Sequence, residues 1–345
     1  MSAGRFRRVA PALGLFVLAP FVGEFLLGNL TIGEFGIGIL LTPLYGGGAL
    51  LVREVARRTG RGWPTMVLLA AAYALTEEGP IDQLLWNDSY ADQDLLRGDS
   101  YLPTLGMNVE LTTTILALHT VWSICVPIAI IETLVPDRRT TPWLRTPGLV
   151  ITAIMYLAGA GLVFWGTLAE ERFLAPPAQF AGLGLVIVAL VVLAFHVGRR
   201  LRPPLAGRAP SPCLVGLAAL GGTSVWWAPA VLVTAGWYEW VGVAVWCVTV
   251  AIGVFLVARW SRQEGWDGRH IFALAAGATF TYAWVSFPNR PESGGSATAD
   301  LIGNSVFAVV AVLILLAAAR VATRPPTPPA SDATAAVGKD ELPLS

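Results

Sequence analysis

The chain has 345 residues, 55% of them hydrophobic and only 13% charged, whereas a soluble domain carries roughly 25% charged residues. Its 23 basic and 23 acidic side chains cancel, so net charge supports neither a nucleic-acid surface nor attraction of acidic substrates. The three cysteines, Cys125, Cys213 and Cys247, lie far apart in apolar stretches, which excludes a disulfide framework and a thiolate zinc site.

A helix crossing a hydrocarbon layer of ~30 Å at ~1.5 Å per residue needs roughly 20 mostly apolar residues. Stretches meeting this run near 9–28, 35–56, 64–86, 109–134, 147–168, 178–198, 212–234, 238–259, 269–288 and 303–321. The pattern predicts an all-α, polytopic transmembrane helix bundle of about ten helices, with the lipid bilayer as its main partner. Residues 1–322 form one transmembrane domain, polar at about 9–134 and more apolar at about 147–321.

The first stretch follows basic residues, lacks an A-x-A cleavage site and continues into Glu24 and Gly28, so it reads as a retained helix rather than a signal peptide. The second contains TPLYGGG, where Pro43 and three glycines weaken the helix beside Tyr45. In the third, Tyr73 lies one turn before Glu77. The adjacent Glu77 and Glu78 diverge by roughly 100° of azimuth, so turning both to one partner needs a local distortion, which Gly79-Pro80 can supply.

The connection 87–108 carries Asp88, Asp92, Asp94 and Asp99 and reads as a solvated loop. Calcium binding and a prenyl-transfer aspartate motif are its alternatives, although the EF-hand glycine and terminal glutamate are missing. The fourth stretch bears a polar stripe of Thr112, His119 and Ser123 with Trp122 beside it, and Pro127 frees the carbonyl of Ser123. Stretches five to ten are apolar, and Trp226, Trp227, Trp237 and Trp240 read as an interfacial aromatic belt. Residues 323–345 are rich in Pro, Ala and Ser and are expected to be a disordered cytoplasmic tail.

Cytoplasmic loops of membrane proteins collect Lys and Arg. Alternate connections here hold 20 of the 23 basic residues, and the intervening set holds only Arg97, Arg172 and Arg290. One missed helix would scramble that alternation, so it supports ten spans and places both termini in the cytoplasm. The excess of arginine over lysine fits a GC-rich bacterial genome, hence a bacterial plasma membrane. Glu54 and Arg58, four apart, read as a helix-end ion pair, and His196 and His270 as interfacial residues at the arginine-rich end.

Ionisable side chains deep in a bilayer cost at least ~2.5 kcal/mol each and therefore mark sites. Counting ~1.5 Å per residue from the cytoplasmic end puts Glu24 at ~22 Å and Glu77 and Glu78 at ~20 Å, and His119, on a helix entered from outside, lies at ~15 Å. Glu77, Glu78 and His119 are the candidate catalytic residues, with Glu24, Tyr45, Tyr73, Trp122 and Ser123 as a supporting polar cluster. Glu78 and His119 are candidate ligands for a divalent metal such as zinc.

AAYALTEEGPIDQLLW, followed 41 residues after Glu78 by ALHTVWSICVP, resembles the glutamate-histidine intramembrane proteases of the CAAX-processing and bacteriocin-processing family. The resemblance covers the third and fourth stretches. It implies acid-base and water-activating roles for Glu77 and Glu78 and makes His119 the first histidine. Asp82 stands where that family has an arginine, Ile115 where it has an aromatic residue, and no second histidine follows within two helices. The whole chain also resembles uncharacterised actinobacterial membrane proteins through GGGALLVREVARRTGRGWP and HTVWSICVPIA, which implies no activity.

Three functions follow: a membrane-embedded hydrolase acting on a membrane peptide, lipid or small molecule; a proton- or ion-coupled transporter; or a scaffold whose polar cluster only holds helices together. No P-loop is present, since GGGALLVRE follows no strand and lacks the Lys-Ser/Thr, so its glycines are better read as helix packing. The orientation is tested with reporters active only in the cytoplasm: fusions at either terminus are expected to be active, and activity of an insertion in the 87–108 loop would reverse it.

Overall fold

The computed structural model of the protein describes residues 3–90, 93–197, 203–233, 235–291 and 296–324. The tail from 325 onward, and Asp92 in the acidic loop, lie outside the described residues. Ten helical rods follow one another. The first is α1 (Ala3–Pro20), which runs into a π-helical turn at Phe21–Phe25; α2 (Phe35–Arg58) is the second. α3 (Trp63–Thr76) likewise passes into a π turn at Glu77–Ile81. The fourth rod is α4 (Val109–Ala117), a π segment Leu118–Cys125, and α5 (Val126–Leu134) in continuous succession.

The remaining rods are α6 (Thr146–Glu171), α7 (Pro177–Val197), α8 (Pro212–Leu232), α9 (Tyr238–Trp260), α10 (Gly268–Val285) and α11 (Ala297–Ala322). The fold is an all-α bundle. Among the described residues the one sheet is a two-residue antiparallel pairing, Tyr101 with Asn108 and Leu102 with Met107, inside the long loop. Among the described residues seven helices are long and apolar enough to cross a membrane. Those outside this group are α1, whose apolar part is Val9–Phe25, α3, which has 14 residues before its π turn, and α10, which has 18.

Local chemistry sets the boundaries. Asn108, Ser211 and Ser296 each accept a backbone N–H from the first turn of the helix that follows, and Pro64, Pro147 and Pro212 occupy first-turn positions where a missing N–H costs nothing. The third rod stops at Ile81, short of the expected residue 86. Gln83 takes a left-handed conformation at φ 66° and its side-chain oxygen accepts from Ala175 N at 2.8 Å, turning the chain aside.

Burial separates the rods by role. The rod 109–134 is the centre of the bundle, with 72% of its apolar window buried, whereas α7 and α9 have 6% and α6 has 11%. Those three helices present their side chains outward, as lipid-facing helices do. α2 runs unbroken through Pro43, Gly46, Gly47 and Gly48, contrary to the weakening expected there. The glycines instead admit neighbours: a Cβ on Gly46 would strike the backbone of Phe16 on α1, one on Gly47 would crowd Tyr156 on α6, and one on Gly48 would strike the ring of Tyr73 on α3.

The connections fall into two ends. At one, Gln179 reaches Leu105 O, Asn289 reaches Leu27 O, and Glu239 accepts from the Ser100 N–H, the Ser100 hydroxyl and the Asn108 amide. At the other, arginines dominate. Arg53 is fully buried and extends a fork to two carboxylates, Nη1 to Glu54 Oε1 at 2.8 Å and Nε to Glu132 Oε1 at 3.0 Å. Its Nη2 donates to the carbonyls of Arg138, Arg139 and Thr141 at 3.0–3.2 Å, and Trp143 stacks over the guanidinium. Arg57 holds both oxygens of Glu132, at 2.9 and 2.6 Å.

Glu54 does pair with Arg58, at 3.5 Å, but its principal partners are Arg53 and the N–H groups of Trp143 and Leu144. The expected surface pair is therefore one edge of a buried network that pins the 136–145 loop to α2 and α5. Replacing Glu132 with alanine would leave Arg53 and Arg57 facing each other without their shared counterion. Its cost is expected to be about 3–5 kcal/mol. A lowered thermal unfolding midpoint in detergent checks this, with Arg145→Gln as a neutral control.

Candidate functional site

The three π turns carry the residues singled out by depth: Glu24 lies in Phe21–Phe25, Glu77 and Glu78 in Glu77–Ile81, and His119, Trp122 and Ser123 in Leu118–Cys125. An extra residue per turn redirects the side chains that follow it, and such turns gather at functional sites. Here they bring four side chains from three rods together. His119 Nδ1 lies 3.0 Å from Glu77 Oε2, and Nε2 meets Glu78 Oε1 in a short contact. The two carboxylates diverge, as their adjacency demands, and reach the same ring because its nitrogens lie on different edges.

Ser123 Oγ stands 3.2 Å from Nδ1 on the near side. Glu24 accepts a short hydrogen bond from the Tyr45 hydroxyl, and the Tyr45 ring lies 5.7 Å from the imidazole. Gly23 makes this approach feasible: a Cβ there would sit 2.9 Å from Ser123 Oγ and 3.0 Å from the Tyr45 ring. The Tyr73 hydroxyl lies against Glu77 without meeting hydrogen-bond geometry. All these side chains are buried, none more than 7% exposed.

Trp122 closes the cluster toward α10. Its ring stacks on Tyr282 at 4.5 Å with an interplanar angle of 2°, and its Nε1 donates to Ala278 O at 2.8 Å. Trp226 and Trp227 pack around this pair, so two of the four expected belt tryptophans lie in the core, while Trp237 and Trp240 are exposed.

Two residues enter that the sequence did not single out. Asp82 is buried and interacts electrostatically with Glu78 and Glu77. Its position four after Glu78, one helical turn on, was the available signal. Tyr282 is fully buried and faces Glu24 across the cluster, but a tyrosine in an aromatic helix carries no such signal. The other two histidines are elsewhere. His270 completes the N-terminal cap of α10, with Nδ1 near Asp267 Oδ1 at 3.1 Å and Nε2 near Pro210 O at 3.0 Å, and His196 lies in the last turn of α7. Burial pushes the Asp267 carboxyl up, but hydrogen bonds from Arg269 and His270 outweigh it and hold it below its ordinary value.

The donor set suits protons better than a metal ion. Both imidazole nitrogens already face carboxylates, and among the described residues no three His, Cys, Asp or Glu are arranged to hold a metal. A ring bearing both N–H protons donates to both glutamates, while a neutral ring satisfies one. The outer oxygen of Glu78, Oε2, has no hydrogen-bond partner among the described residues, whereas Glu77 Oε2 is the atom that faces Nδ1.

A family model described as an uncharacterized membrane protein family matches residues 13–338, from within the first rod to beyond the last. The chain belongs to this family. No curated protein and no solved structure matches it. Membership makes it a multi-pass membrane protein, and the family match carries no protease resemblance, so that likeness rests on the third and fourth rods alone.

Coupling within the site is measurable. A double-mutant cycle of Glu78→Gln with His119→Gln is expected to show an interaction of about 0.5–3 kcal/mol in unfolding free energy, whereas Glu78→Gln with His270→Gln adds within about 0.5 kcal/mol. Additivity of the first pair would mean that the two side chains do not interact.

Proposed function

We propose that the protein is a membrane-embedded hydrolase whose acid-base centre is His119 held between Glu77 and Glu78. The observation that supports this reading is the pairing of each imidazole nitrogen with its own carboxylate inside the bundle. General acid-base chemistry needs a base within reach of a water proton and an acid able to return it. Glu78, through its unpartnered oxygen, takes a proton from water as the water oxygen bonds to a substrate carbonyl. The protonated Glu78 then returns that proton to the leaving group as the scissile bond breaks, while His119 stays between the two glutamates. Glu77 orients the ring and stabilises its charge. Tyr45 and Glu24 fix the opposite wall, and the substrate is a membrane peptide, lipid or other small molecule.

A second reading, proton-coupled transport, draws on one specific observation. Glu24, Glu77, Glu78 and Asp82 are buried with His119 as the one basic partner in ion-pair range among the described residues, so the cluster needs protons to balance its charge. The site residues lie in the first four rods, whereas a repeat-built transporter places them in both halves.

The readings separate in membranes containing the native chain or Glu78→Gln. Hydrolysis predicts peptide or lipid fragments that appear with the native chain and fall by about 100-fold or more in the variant. Dissipation of a pH gradient in proteoliposomes that requires Glu78, without fragments, would replace this reading with transport. If neither occurs and only stability changes, the cluster is a scaffold.

A further inference from the structure

A second site lies at the arginine-rich end, away from His119. The segment 203–210 folds back on the end of α9 and is held there by backbone bonds: Leu205 N to Arg262 O at 2.9 Å, Glu264 N to Gly207 O at 3.1 Å and Ala209 N to Glu264 O at 2.9 Å. Gly207 makes the turn at φ +101°, a conformation that side chains disfavour. Between this loop and the helix is a cavity of about 160 Å³ lined by Leu205, Phe255, Ala258, Arg259 and Arg262. One water needs roughly 10–15 Å³, so the space takes a larger group.

The two arginines set its chemistry. Arg53, Arg57, Arg58, Arg97 and Arg269 all pair with carboxylates, but Arg259 and Arg262 make no ion pair among the described residues. The Nε of Arg262 is fixed on Pro203 O at 2.8 Å, which leaves its two Nη groups to bind an anion. Among the described residues no acidic side chain lines the cavity. Its remaining walls are apolar, and they continue onto an α9 surface where Val254 and Phe255 are 63% and 64% exposed.

We infer that this cavity binds the phosphate of an anionic phospholipid, with one acyl chain lying along α9. Two guanidiniums one helical turn apart match a phosphate better than separate lysines would, because each offers a planar fork of donors. The adjoining apolar face favours a lipid over free phosphate, and two cations in the lining favour a headgroup of net negative charge over one that carries its own ammonium.

The test uses the full chain in nanodiscs with photoreactive phosphatidylglycerol or phosphatidylcholine of the same acyl chains, the crosslinks being mapped by peptide mass spectrometry. Phosphatidylglycerol is expected to label 203–210 and 255–262 more strongly than phosphatidylcholine, and Arg259→Gln/Arg262→Gln is expected to lower that labelling about 10-fold. Arg259→Lys/Arg262→Lys should retain most of it, and Arg145→Gln, at the same end of the bundle, all of it. Each protein's unfolding midpoint confirms folding, and labelling lost only with folding would overturn the assignment. Equal labelling by the two lipids, or an unchanged folded double Gln variant, would also overturn it. Displacement by millimolar inorganic phosphate would assign the cavity to the free ion instead.

Discussion

The contact of His119 with two glutamates is the constraint around which the rest of the bundle is arranged. A charge inside a bilayer must find a partner within the protein, because neither lipid nor water supplies one. The histidine lies on the most buried of the seven long apolar helices, and the first and third rods give up regular α-helix where they meet it. Each π turn sacrifices helical regularity to aim a side chain, and all three converge on one place. α2 stays straight beside them, its glycines letting Phe16, Tyr73 and Tyr156 close in and its Tyr45 reaching Glu24.

Two buried ionic groups sit in the same chain and are not alike. At the arginine-rich end, Arg53 is matched on every side by carboxylates, carbonyls and an aromatic face, and Glu54 and Glu132 have their oxygens occupied. Such a network holds a loop in place and has nothing left over to react. The histidine cluster keeps Glu78 Oε2 and the Tyr73 hydroxyl buried without hydrogen bonds among the described residues. Leaving a buried acceptor unmet costs about 1–3 kcal/mol each. A purely structural polar cluster gains nothing from that cost, whereas a site that must take up a proton or a water needs it, and this difference favours chemistry at His119 over adhesion.

The outer helices complete the picture. α6, α7 and α9 have little of their surface covered by protein and form the boundary with lipid, while α10 fills the interior with Tyr282 against Trp122. The aromatic stack seals one side of the cluster with rings rather than charges, which keeps the local dielectric low and strengthens the pairing between His119 and its glutamates. The carboxylates and histidine of this cluster thus come from the first four rods, and the later ones supply its walls.

The sequence by itself determined the ten helices and put Glu24, Glu77, Glu78 and His119 at similar heights along them, because apolar length and rise per residue are local properties of a helix. It also removed His196 and His270 from that layer, and its Gly79-Pro80 pair marked the distortion at Glu77. Only tertiary structure decided which atoms meet. The partner of Arg53 is Glu132, 79 residues away, and no local pattern relates them. Trp226 and Trp227 turned inward although they share composition with the exposed Trp237 and Trp240, because burial depends on which neighbour covers a helix face. The π turns at Glu24 and His119, and with them the clasp of one imidazole by two adjacent glutamates, arise from packing between rods, which hydropathy along a single rod does not register.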